Sequence, residues 1–124
     1  MKSIRVIATG ENNSHLARVQ NKKFASYALT ITPASERIMS KQLFRSGTSI
    51  GANIREAQHA QSYADFLSKK ISLKECNETE YWLQLLHDNG YLNDLQYTSI
   101  NTDRVRIHKL LNAIVSTTRR KIGK

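Results

Sequence analysis

The chain predicts an all-α protein, an antiparallel up-and-down four-helix bundle with a short N-terminal arm or strand. Three observations carry that expectation. Five Gly and a single Pro among 124 residues leave long windows without helix breakers. Through those windows apolar residues recur at spacings of three and four, and only residues 4–7 show a convincing period of two. The breaks between windows are short, which favours antiparallel neighbours. A mass of 14.1 kDa fits one core, so the division is an arm over residues 1–13 and a bundle domain over 14–124.

Taken in order, Ile4, Val6 and Ile7 suggest a strand or loosely docked arm, and Gly10-Glu11-Asn12-Asn13 reads as a turn. Ser14 suits the N-cap of a first helix reaching about Ile31, with Leu16, Val19, Phe24, Ala28 and Ile31 on its apolar side. Thr32-Pro33 marks the next boundary. Threonine can cap a helix whose first position tolerates proline, and Glu36 then lies in the first turn, where the helix dipole favours an acid. This second helix is expected to run to about Ala60. Ser62-Tyr63-Ala64-Asp65 resembles a capping box with Asp where Glu or Gln is usual, opening a third helix from Tyr63 to about Asp88. Gly90 suits the left-handed position after it, and Asn93 can cap a fourth helix to roughly Arg119.

The apolar seams are not alike. In the second helix Leu43, Gly47, Ile50, Ile54 and Ala57 follow coiled-coil-like spacing. Ile100, Ile107, Leu111 and Ile114 form a comparable stripe in the fourth, interrupted by Arg104. The third carries Phe66, Leu67, Ile71, Leu73, Tyr81-Trp82-Leu83 and Leu85-Leu86, apolar around most of its circumference. Such a helix is either the central element or has its outer face covered by another subunit.

At about 100° per residue, Arg37, Lys41, Arg45 and Arg55 share one arc of the second helix, opposite the Leu43–Ile54 seam. A small or polar strip of Gln42, Ser46, Ser49, Asn53 and Glu56 lies between them. Gly47 and Gly51 each cost about 1 kcal/mol against Ala in a helix, which close approach of a neighbour would offset. Ser46, Gly47, Ser49, Ile50, Gly51, Asn53 and Glu56, with Tyr81 and Trp82, are therefore the candidate helix-packing or oligomer interface.

Nineteen Lys plus Arg against ten Asp plus Glu give +9, with a pI near 9.9. Such an excess points to an anionic partner, most often nucleic acid. The candidate nucleic-acid surface is the arc of Arg37, Lys41, Arg45 and Arg55, joined by Arg18, Lys22 and Lys23 and by Arg119, Arg120 and Lys121. The same charges equally suit a solvated face. Tyr27, Tyr63, Tyr81, Trp82, Tyr91 and Tyr97 fall mostly at core-like positions, which argues against base stacking.

Catalytic and metal chemistry is sparse. Glu56 and His59 have the Glu-x-x-His spacing of di-iron bundles, without the second pair such sites need, so no metal or cofactor is expected. Arg55/His59 and Arg104/His108 resemble the Arg/His pair of helical-bundle ribonucleases but stand closer together, and read as surface pairs. Cys76, beside Glu75, reads as a small buried side chain rather than a nucleophile. No phosphate loop, nucleophile elbow or zinc cluster is present, so no catalytic residue is assigned. No apolar run approaches the roughly 20 residues of a membrane span, and MKSIRVIATG is too short for a signal-peptide core. A cytoplasmic protein is expected.

The stretch from Gln42 to Ala57, QLFRSGTSIGANIREA, resembles the signature of the small four-helix-bundle proteins encoded in bacterial 23S ribosomal RNA intervening sequences. The resemblance continues through Asp65-Phe66, Lys69-Lys70, Leu73-Lys74-Glu75 and Glu78-Thr79-Glu80-Tyr81-Trp82-Leu83, spans about residues 18–120, and leaves out residues 1–13. It implies a bundle assembling into a ring-like homopentamer, similar in fold to the accessory protein of diversity-generating retroelements. That protein is a basic pentamer that binds nucleic acid and a reverse transcriptase. The resemblance carries no catalytic residues, and its signature residues Ser49, Asn53 and Glu56 fall on the polar strip. The expectation is a non-enzymatic homopentamer binding RNA or DNA; the alternative is a scaffold for a protein partner such as a reverse transcriptase.

Overall fold

The computed structural model describes residues 10–56 and 62–123. Four helices fill it: α1 (Gly10–Ile31), α2 (Ile38–Glu56), α3 (Tyr63–Asp88) and α4 (Asp94–Ile122). Each packs against its neighbours in the closed order α1, α2, α3, α4, α1. Cross-helix hydrogen bonds fix the directions. Ser46 pairs with Thr79 while the later Ile50 pairs with the earlier Ser72, and Cys76 meets Arg104 while Lys69 meets Thr118. Rising numbers on one helix meet falling numbers on the next, so α2, α3 and α4 alternate in direction. The all-α, antiparallel expectation holds.

The caps of α3 and α4 follow from local chemistry. Ser62 Oγ accepts the Asp65 amide at 3.4 Å. Gly90 takes φ +81°, letting its amide reach His87 C=O and the Tyr91 amide reach Leu86 C=O, the paired bonds of a Schellman ending. Asn93 and Gln96 form a reciprocal capping box.

The first two helices depart from expectation. α1 begins at Gly10, so the polar Gly10–Asn13 segment is helix rather than turn. Asn13 is as deeply buried as Ala17 one turn later, and packing overrides the local turn preference. The inward line of α1 is Ala17, Asn21, Phe24 and Ala28, with Val19 outside it. Thr32 does not open α2; its amide and hydroxyl both bond back to Ala28 C=O and close α1. Helix α2 starts at Ile38, five residues after Pro33, because Glu36 supplies the cap. Its carboxylate accepts the amides of Ile38, Met39 and Ser40 and the Ser40 hydroxyl. Burial alone would lift the Glu36 carboxyl, but these bonds outweigh it and hold the pKa below the ordinary value. Residues 1–9 with their expected strand, Ala57, His59 and Ala60 lie outside the described residues.

The core is built from Phe24, Leu43, Ile50, Leu83, Leu86, Leu92, Ile100, Ile107, Leu111 and Ile114. Helix α3 contributes to it unevenly. Its buried line is Asp65, Lys69, Ser72, Cys76, Thr79, Leu83 and Leu86, polar for most of its length. Leu67, Ile71 and Tyr81 instead face outward, exposed by about half. Cys76 is free and buried, and burial first of all pushes its thiol up. Arg104, expected as an interruption, is buried and bonded to Glu80 (2.9 Å) and Asn101 (2.8 Å).

Candidate nucleic-acid interface

The glycine strip sets the geometry of the site. Asn21 of α1 sits against α2, its Nδ2 donating to Gly47 C=O at 2.7 Å and its Oδ1 accepting the Gly51 amide at 3.0 Å. A Cβ at Gly51 would collide with Asn21 Oδ1, and one at Gly47 would press on the Phe24 ring at 3.3 Å. Both glycines therefore admit α1 of the same chain; Gly47 is buried, and Gly51 stays half-buried. Ser46 and Ile50 are likewise buried inside the bundle. Ser49 donates to Arg45 C=O, and Asn53 donates to Ser49 C=O, both within α2. Tyr81 is exposed and stands edge-on to the half-buried Trp82, ring centroids 5.0 Å apart. The Glu56 side chain lies outside the described residues.

Outside this contact the two helices leave a groove of about 530 Å³. Its base is small, formed by Ala25, Gly51 and Ala52, and its rim carries His15, Arg18 and Lys22 from α1 with Thr48 and Arg55 from α2. None of its described lining residues is acidic. The structure thus brings together three of the sequence-derived cations, Arg18, Lys22 and Arg55, and adds His15, which sequence reasoning missed. The signal for His15 was its place one turn before Arg18 on α1, opposite the small residues of α2.

The other candidates are distributed differently. Arg45 leaves the expected arc electrostatically: its guanidinium bonds Glu78 at 2.7 Å and Glu75 at 3.3 Å. Glu78 first of all raises the Arg45 pKa, and Arg45 in turn lowers that of Glu78. Glu75 is pushed up, by burial first and then by Glu78. Arg37 and Lys41 are exposed at the start of α2, and Lys23 is exposed on α1 away from the groove lining. Arg119, Arg120 and Lys121 are exposed at the end of α4. The Arg104/His108 pair is not a surface pair, since Arg104 is buried.

Charge is polarised along the bundle. By chain position among the described residues, divided near Asn21, Gly47, Cys76 and Ile107, the half where α1 begins and α4 ends holds Arg18, Arg55, Lys69, Lys70, Lys74, Lys109, Arg119, Arg120 and Lys121 against Glu11, Glu56, Asp65 and Glu75. The other half holds Lys22, Lys23, Arg37, Lys41, Arg45, Arg104 and Arg106 against Glu36, Glu78, Glu80, Asp88, Asp94 and Asp103, and is nearly neutral. No group of three or more metal-ligating side chains forms among the described residues. No helix among them is long and apolar enough to cross a membrane.

The 23S rRNA-intervening sequence protein family matches residues 14–113. The chain belongs to that family. It is also similar to a protein of unknown function from the S23 ribosomal protein family of Bacteroides thetaiotaomicron, known from a crystal structure at 1.70 Å. Identity is 46% over 84% of this chain and 98% of that one, with a TM-score of 0.74. No curated protein matches the chain. Much of the family-like stretch proves occupied with internal packing: Arg45 with Glu75 and Glu78, Ser46 with Thr79, and Gly47 and Gly51 with α1.

Proposed function

We propose that this chain is a non-enzymatic subunit of a homopentamer that binds nucleic acid, RNA or DNA, with the α1–α2 groove as its principal phosphate-binding surface. One observation carries the reading: His15, Arg18, Lys22 and Arg55 converge on a groove whose described lining holds no carboxylate. Cations so arranged neutralise phosphates and release counterions without reading sequence. Self-association is assigned to the outward apolar residues Leu67, Ile71 and Tyr81 of α3, since the glycines are filled from within the chain. The resemblance noted in the sequence supplies the stoichiometry.

Filter binding of a structured RNA tests the first half. Retention at about 50 mM salt should weaken roughly 100-fold or more by about 200 mM, and Arg18→Glu with Lys22→Glu should abolish it. Undetectable binding at the lower salt overturns the reading. Light scattering tests the second, with a pentamer expected and Ile71→Glu expected to break it. The same exposed apolar residues favour one competing reading, a scaffold that docks another protein. That scaffold would keep its partner when Arg18 and Lys22 are reversed.

A further inference from the structure

Tyr63 opens α3 with 65% of its surface exposed. One turn on, the half-buried Phe66 ring lies 6.3 Å from it, centroid to centroid, tilted by 36°. Two cations from different helices meet at that second ring: Lys70 Nζ at 5.6 Å and Arg119 Cζ at 5.7 Å from the Phe66 centroid. Neither forms an ion pair with a carboxylate among the described residues, and the adjacent Asp65 is buried. An accessible aromatic face beside unpaired cations is what a nucleotide requires, with its base on the ring and its phosphate on the cations.

We propose that Tyr63, Phe66, Lys70 and Arg119 form a second site, one that takes an unpaired nucleotide by stacking its base on Tyr63. The proposal rests on the nucleic-acid reading above and narrows it to strands with unpaired bases. Duplex bases are already stacked and offer no free face to a side chain. The same cationic end of a second copy is a poorer occupant, because it would bring like charge against Lys70 and Arg119. Tyr63 stands one turn before Leu67, so the patch adjoins the outward apolar residues, and it parts from them at Phe66. Phe66 faces the α4 side through Arg119, whereas Leu67 and Ile71 turn toward the α2 side marked by the Arg45–Glu78 pair.

Fluorescence anisotropy on the full chain tests this with two labelled probes, an oligothymidylate of about twenty nucleotides and a duplex of equal length. Tyr63→Ala is expected to weaken the single strand by roughly 5- to 150-fold, the range of base–aromatic stacking. Duplex binding should not change, and Tyr63→Trp should restore the single strand. Arg18→Glu with Lys22→Glu should weaken both probes. If Tyr63→Ala leaves the single strand within about twofold while the groove variant still weakens both, the patch is not a stacking site and the nucleic-acid reading survives. If Tyr63→Ala instead lowers the assembled mass in light scattering, the patch is a subunit contact and the proposal is overturned. Should the unaltered chain bind neither probe at low salt, both readings fall together.

Discussion

Helix α3 turns different chemistry inward at the two ends of the bundle. At the end carrying the α1–α2 and α3–α4 connections, the interior is Phe24, Leu83, Leu86, Leu92 and Ile100, charge is nearly balanced, and the helix termini are closed by Glu36, Gly90 and the Asn93–Gln96 box. At the other end α2 and α4 still bury Ile50, Ile54, Leu111 and Ile114, but α3 turns Asp65, Lys69 and Ser72 inward, Thr118 of α4 meets Lys69, and the cationic excess is concentrated. Burying apolar area stabilises far more than satisfied polar contacts do. The α3 seam therefore contributes less stability at its polar stretch, where Ile50, Ile54, Leu111 and Ile114 of α2 and α4 supply the apolar burial instead.

The largest expected effect lies at the apolar end. Leu83→Ala removes a fully buried side chain and should cost about 2–5 kcal/mol in urea denaturation. At the polar end, Ser72→Ala leaves the Ile50 carbonyl bonded within its helix and should cost only about 1 kcal/mol. Equal losses would erase the distinction. Next comes Gly51→Ala, midway along the bundle. A methyl group there gains about 1 kcal/mol of helix propensity but must displace Asn21, breaking its bonds to both glycines. A net loss of about 1–3 kcal/mol is expected, and a stabilised variant would show that α1 does not need so close an approach.

These residues also show what the sequence made legible. Both ends of α3 and the start of α4 were readable nearly to the residue, because Ser62, Gly90 and Asn93 act within one turn of themselves, whereas α4 runs three residues past its expected end at Arg119. The start of α2 was not, because Glu36 caps through a long side chain lying outside the helix while Thr32 bonds backward. The polar seam of α3 was hidden for a different reason. Lys69 and Ser72 become interior only through partners on α4 and α2, and no spacing rule favours them over Leu67 and Ile71. The groove is similar: Arg18, Lys22 and Arg55 were visible on α1 and α2 separately, but their convergence depends on the Asn21 contact.

A smaller effect tests the well-capped end. Glu36→Gln should destabilise by about 1 kcal/mol at neutral pH, as loss of a helix cap does. The Glu36 pKa is lowered in the folded chain, so its contribution is complete above the ordinary carboxylate value near 4.3 and is lost as pH falls through the folded one. The two proteins should therefore converge in acid, measured by thermal unfolding across pH 7 to 3. A gap that persists in acid would mean the carboxylate charge is not what caps α2.

The smallest effect is the most pointed. Lys69 is 3% exposed, with its Nζ bonded to Thr118 Oγ1 at 3.1 Å. Burial first of all lowers its pKa and Lys121 adds to this, while Asp65 opposes it. A buried ammonium with so few partners is a poor source of stability, and Lys69→Met of similar length should change unfolding free energy by no more than about 1 kcal/mol at pH 7. The pH dependence separates this from indifference. Because the folded pKa lies below the unfolded one, the unfolded chain binds more protons between the two values, and stability rises with pH there. The unaltered protein should therefore gain on Lys69→Met as pH climbs toward about 10.4, as urea denaturation at pH 7 and pH 10 would register. A loss of several kcal/mol at pH 7 would make the polar seam a principal source of stability, and the contrast between the two ends would fail.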